Sequence, residues 1–154
     1  MKIEIPESPL IAEIQISYKP LIKPSLLPTV KCSEDVYKLF LSTWDESQIN
    51  YVEHFKVMLL NRANKVIGIC TLTTGNNTTS IADPRMVFAL ALKTNACGVI
   101  LAHNHPSGNR MPSQADIEIS KRMKEAGKLL EISVLDHIII TTEEYYSFAD
   151  EGAF

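Results

Sequence analysis

ILAHNHPSGNRMPSQAD, residues 100–116, holds the transition on which the fold turns. Its first residues continue an apolar run that begins at Val99, the pattern of a short central strand buried on both faces. Residues 104–112 are rich in Asn, Ser, Gly and Pro, each of which favours a turn for its own physical reason. Ser113 then opens a helix expected to run to about residue 130. Strand, loop and helix in that order read as one unit of an α/β domain.

Working outward, EISVLDHIIIT (131–141) reads as a further strand, and 142–154 as a short mixed tail. Upstream, Asp83 stands as an N-cap before Pro84, at the start of a helix over 84–95. That helix is apolar on most sides and is expected to be well buried. VEHFKVMLL (52–60) and KVIGICTLTT (65–74) read as two strands joined by NRAN, with GNN (75–77) as a loop. DESQIN (45–50) is a turn. Ser33, followed by Glu34 and Asp35, opens a helix on which Val36, Leu39, Phe40 and Trp44 continue at helical spacing. Pro20, Pro24 and Pro28 keep 19–30 irregular. Ile14, Ile16 and Tyr18 alternate against Gln15 and Ser17, a strand signal over 11–18, and residues 1–10 are an arm. The order β-α-β-β-α-β-α-β predicts one α/β domain with a mixed β-sheet flanked by helices. Residues 1–30 form an N-terminal arm and strand, and 31–154 the domain proper.

The chain has 154 residues and a net charge of −3, with 15 basic against 18 acidic side chains. A generic nucleic-acid binder neutralises phosphates with an excess of Lys and Arg, so direct nucleic-acid binding is not expected. No run approaches the roughly 18 apolar residues needed to span a bilayer. MKIEIPESPL is acidic where a signal peptide is basic and then apolar, so the expectation is a cytoplasmic protein without a membrane anchor. Cys32, Cys70 and Cys97 form no CxxC pair and sit in apolar company, so they are read as buried, inert thiols.

His103 and His105 lie two apart at a strand end, so their rings point the same way. Asp116 follows on the first turn of the next helix. Two imidazoles and a carboxylate give three metal ligands and leave a fourth position for water, the pattern of a catalytic rather than a structural zinc site. Ser113-x-x-Asp116 also fits a capping box, and both readings can hold together. Asp116, Ile119 and Met123 share a helical stripe that turns the carboxylate inward, where an unpaired charge is costly and a cation relieves it. His54 points to the strand face opposite Glu53 and is not a ligand. His137 is read as a structural or second-shell histidine, and Arg85 as a salt-bridge partner. No HExxH and no HxE with PCxxC is present, and the acidic residue and further His of metallo-β-lactamases are missing from HNHPSG.

His103-x-His105-x7-Ser113-x2-Asp116 is similar to the motif of JAMM (MPN+, JAB) metalloproteases. AHNHPSG (102–108), PS..AD (112–116), EAGKLL (125–130), LDHIII (135–140), DPRMVF (83–88) and YYSF (145–148) resemble RadC, a bacterial branch of that superfamily, over roughly residues 48–151. The resemblance implies a single JAB/MPN-like domain with cytidine-deaminase-like layering and one Zn2+ per chain. It assigns Glu53, which opens EHFKVMLL, as general acid/base, and Ser113 as a donor to the oxyanion. It implies a zinc-dependent hydrolase of amide bonds, a metallopeptidase or isopeptidase with a peptide or protein substrate. Two alternatives stand beside it. One is a DNA-repair-associated role of the RadC family, acting through DNA or a DNA-bound partner, although residues 1–50 show no helix-hairpin-helix pattern. The other is a non-catalytic metal-bound interaction module, which has no need for an open metal position beside a base.

Overall fold

The computed structural model describes residue 15, residues 17–75 and residues 82–154. In it, a 3-10 turn at Pro24–Leu26 leads to α1 (Ser33–Leu41), β1 (Glu53–Leu60), β2 (Val66–Gly75), α2 (Pro84–Lys93), β3 (Gly98–Asn104), α3 (Gln114–Leu129), β4 (Ser133–Ile140) and β5 (Tyr145–Ser147). The five strands form one sheet in the order β2-β1-β3-β4-β5. β3 and β4 run parallel and every other pair is antiparallel, so the expected mixed sheet is present.

Helices cover both faces. On one, Phe55, Val57 and Leu59 of β1 and Val99 and Leu101 of β3 meet Val87, Phe88 and Ala91 of α2 and Ile119 and Met123 of α3. On the other, Met58, Leu60, Ile100, Ala102, Ile138 and Ile140 meet Val36 and Phe40 of α1, together with Trp44 and Ile49. The alternation within β1 and β3 is the period of two expected of a strand covered on both sides. Burying each Val, Leu, Ile, Phe or Met among them stabilises by about 1.5–3 kcal/mol.

A bulge in β4 decides which face its polar residues reach. Val99 pairs with Val134, but Ile100 pairs with Asp136, so Leu135 is the extra residue and is left half-exposed. One inserted residue exchanges the two faces for everything that follows. His137 therefore lies on the α3 side, opposite Leu101.

Several expectations are corrected. α1 ends at Leu41, and Trp44 is buried from the turn beyond it, where Trp44 N donates to Leu41 O. α1 does open at Ser33, as expected, but no side chain caps it, and Ser33 Oγ is engaged by Asp150 and Tyr145. α2 is not buried all round: Met86 and Leu92 face outward. The thiols are not buried, since Cys32 is exposed and Cys70 and Cys97 are half-buried. The tail holds β5, a strand the sequence reading did not anticipate. Of the strand expected over 11–18, Gln15, Ser17 and Tyr18 are exposed and outside any strand. The remainder of that strand, the arm 1–10 and most of the GNN loop lie outside the described residues. Among the described residues no helix is long and apolar enough to cross a membrane.

Candidate metal centre

The site forms where β3 ends and α3 begins. β3 is fully buried along its length and delivers His103 at its end; His105 follows after Asn104. His105 N donates to Ile140 O of β4, which carries the sheet geometry into the first residue of the loop. α3 returns the chain with Ser113 as its N-cap. Ser113 Oγ accepts from Asp116 N at 3.2 Å, and Asp116 Oδ2 accepts from Ser113 N at 2.7 Å. The capping box is thus real, and it coexists with a second use of the same carboxylate. Asp116 Oδ1 stands 3.1 Å from His103 Nε2, and Oδ2 stands 3.4 Å from His105 Nε2. The two Nε2 atoms are 3.0 Å apart. Taken as one donor atom per residue, the set lies within 4.8 Å.

The outward hydrogen bonds fix the tautomers. His105 Nδ1 lies 2.6 Å from the Asn109 carbonyl oxygen, which only accepts, so Nδ1 carries the proton. Ser120 Oγ donates to the Asp116 carbonyl oxygen at 2.7 Å. Its contact of 2.6 Å with His137 Nδ1 therefore has the ring donating. Complete burial, reinforced by neighbouring His103, holds the pKa of His137 well below the ordinary histidine value, so the ring is neutral and its Nε2 accepts. His103 Nδ1, 2.8 Å from that Nε2, must donate. In its neutral form each histidine is left with an Nε2 lone pair aimed at a carboxylate.

Three electron-pair donors facing one another without a shared proton repel, and a cation between them removes the repulsion. Tetrahedral zinc ligands stand about 3.3 Å apart, given metal–ligand distances of about 2.0–2.1 Å. The closest separations bracket that spacing, with the two histidines facing different oxygens of Asp116, and one atom from each residue keeps the set within 4.8 Å, so the residues fit a divalent metal after a small closure. A proton partly answers the same repulsion. Burial works to raise the Asp116 pKa, but hydrogen bonds with His103 and His105 prevail and hold the carboxyl well below the usual carboxylate range. For His105, burial favours the neutral ring, yet the bonds to Asp116 and Asn109 and the nearby Glu53 charge raise the pKa above the ordinary value.

Glu53, His105, Pro106, Ser107, Asn109, Met111, Pro112 and Ser113 line an open groove of about 420 Å3 at the edge of this cluster. Phe55 pairs with His103 across β1 and β3, so Glu53 lies on the same side of the sheet as His105. Glu53 is exposed. Ser113 Oγ donates to Asp116 Oδ2 at 2.8 Å. His54 is buried on the opposite side against Trp44, and Arg85 pairs with Asp83.

Three supporting groups escaped the sequence reading. Ser120 sits four residues after Asp116 on one helical stripe, a spacing that can be read in advance. The Asn109 carbonyl and the Asn104 side chain gave no comparable signal.

The family of RadC-like JAB domains matches residues 30–153. A UPF0758 protein of Flavobacterium johnsoniae is 52% identical over 102 residues, 66% of this chain and 44% of that protein. A UPF0758 protein of Caldanaerobacter subterraneus is 44% identical over 126 residues, 82% of this chain and 53% of that protein. One from Desulfitobacterium hafniense is 35% identical over 137 residues, 89% of this chain and 57% of that protein. The chain thus spans about half the length of these relatives.

Proposed function

We propose that this chain, which belongs to the RadC-like JAB domain family, is a zinc-dependent hydrolase of amide bonds with a peptide or protein substrate. One observation carries the reading: His103, His105 and Asp116 turn three electron-pair donors toward a common point beside an open groove that also contains Glu53. Zinc held there supplies a Lewis acid that lowers the pKa of water toward neutrality.

The chain's own residues do the rest. His103 and His105 hold their Nε2 lone pairs inward because His137 and the Asn109 carbonyl occupy the opposite ring nitrogens. Glu53, exposed to the groove, takes the proton from water and returns it to the leaving amine. Ser113 offers its hydroxyl to the oxyanion that develops on the attacked carbonyl. That hydroxyl now donates to Asp116 Oδ2, so an oxyanion competes for a proton already engaged, and the Ser113 hydroxyl turns outward only when the substrate's charge builds. The open groove, with exposed Met111 near its rim, suits an extended chain.

The test compares wild type, Glu53→Gln and His105→Ala for zinc content and for cleavage of a peptide library. Wild type is expected to hold about one zinc and to cleave. Glu53→Gln should keep the zinc and lose at least about 100-fold in rate. His105→Ala should lose the zinc. A wild-type chain that takes up no zinc when offered it, with excess removed, ends this reading.

A further inference from the structure

Asn104 stands between the two metal-binding histidines in sequence, on the other side of β3 from their rings, and is completely buried. All three of its side-chain hydrogen bonds run to one stretch of backbone. Oδ1 accepts from His54 N at 2.7 Å. Nδ2 donates to Ile49 O at 2.7 Å and to Val52 O at 2.8 Å. Only one orientation of the amide works, because the oxygen meets a donor and the nitrogen meets two acceptors. Two of the three partners are the residues immediately before and after Glu53.

The position matters as much as the bonds. Backbone pairing of β1 with β3 ends at Phe55 and His103. One residue further, His54 N meets the Asn104 side chain rather than the β3 backbone. The amide holds the two chains in fixed relation where the ladder stops, and that is where Glu53 and His105 face the groove. Among the described residues no hydrogen bond or ion pair holds the Glu53 carboxylate, so the backbone that carries it sets its place.

We propose that Asn104 is a positioning residue for Glu53, clamping the backbone on both sides of it and aiming its carboxylate at the centre formed by His103, His105 and Asp116. The inference rests on the reading of Glu53 as proton carrier. Asn104 couples that carrier to the ligand pair directly, since the residue that fixes Glu53 is bonded covalently to both histidines. The same bonds satisfy buried backbone groups that are costly to leave unpaired, so lost stability alone would not separate the roles.

Acetohydroxamate binding to the cobalt-loaded full chain separates them. A hydroxamic acid chelating a metal gives up a proton, and a carboxylate within reach takes it. Cobalt absorption reports both metal affinity and hydroxamate affinity without any substrate. Glu53→Gln is expected to weaken hydroxamate about 10- to 100-fold, the worth of a hydrogen bond to a charged group. Asn104→Ala should weaken it by a similar factor, with metal affinity within about threefold of wild type, and the double variant should bind no worse than Glu53→Gln alone. If Asn104→Ala fails to fold, Asn104→Thr, which keeps one donor and more of the volume, is read the same way. Hydroxamate binding at wild-type strength in the Asn104 variant, or additive losses in the double variant, overturns the positioning role while leaving Glu53 intact. Wild-type binding in Glu53→Gln instead removes Glu53 as proton carrier, and this inference with it.

Discussion

Asp116 serves a helix cap and, in the function proposed above, a metal set with one carboxylate, and the two duties can be pulled apart by chemistry. Asn at this position keeps an oxygen that accepts from Ser113 N, so the cap survives, but it loses the anionic ligand. Ala loses both the oxygen and the charge. The metal-free Asp116→Asn protein should melt within a few degrees of wild type, whereas Asp116→Ala, which keeps the bond from its own N to Ser113 Oγ but leaves Ser113 N without its acceptor, should lose about 1 kcal/mol more. Both should bind zinc much more weakly than wild type, since the one anionic donor of the set is gone. Thermal melts and zinc titrations check this, and an Asn variant that keeps wild-type affinity would remove Asp116 from the ligand set. At this scale the sequence spoke clearly where side-chain spacing itself encodes the geometry. His103 and His105 lie two apart on extended backbone, and Asp116 follows at a helix start. It was silent on Asn104, whose partners at Ile49, Val52 and His54 lie some fifty residues away and are backbone atoms. Backbone acceptors leave no mark in a sequence.

Elements were legible where one periodicity ran uninterrupted. β1, β3 and the stripe of α3 are such cases, and each is found near its expected limits. β4 was legible as a strand but not in its facing, because the bulge at Leu135 reverses the alternation without any Gly or Pro to announce it. That reversal brings His137 to His103, so the support of one proposed ligand depends on an irregularity. β5 was missed because its turn is held by Thr141, whose hydroxyl donates to Glu144 O and accepts from Glu144 N, instead of by the usual turn residues. α3 invites a substitution whose sign is decided by magnitudes. Alanine is favoured over glycine in a helix by about 1 kcal/mol. A Cβ on Gly127, however, would lie 2.4 Å from Ile132 O and 2.9 Å from Val134 Cγ2. The first of these is backbone immediately before β4 and cannot swing aside. Gly127→Ala is therefore expected to destabilise by about 2 kcal/mol net, a fall in Tm of roughly 4–8 °C. A melt at or above the wild-type temperature would mean that α3 and β4 slide apart freely, contrary to their packing.

The whole molecule determines what the metal can contribute to stability. In small zinc modules the ion replaces a core, and chelation unfolds the chain. Here two apolar clusters cover the two faces of one five-stranded sheet, and they are built from aliphatic and aromatic side chains that need no ion, with His103 packed on Phe55 at the end of one of them. The proposed ligands also keep partners of their own: His103 on His137, His105 on the Asn109 carbonyl, and Asp116 in its capping box. Removing the ion should leave the layers standing and subtract only the binding linkage. At a free zinc concentration 100 to 1,000 times the dissociation constant, that linkage is worth about 2.7 to 4.1 kcal/mol. For a chain of this size the corresponding fall in Tm on chelation is roughly 5–16 °C. Circular dichroism at 25 °C should be unchanged by chelator, and the melting shift should grow with the logarithm of added zinc in wild type. In His105→Ala the shift should vanish. Unfolding at 25 °C on chelation would instead mean that the junction of β3 and α3 depends on the ion, and that the two clusters do not by themselves hold the sheet between its helices.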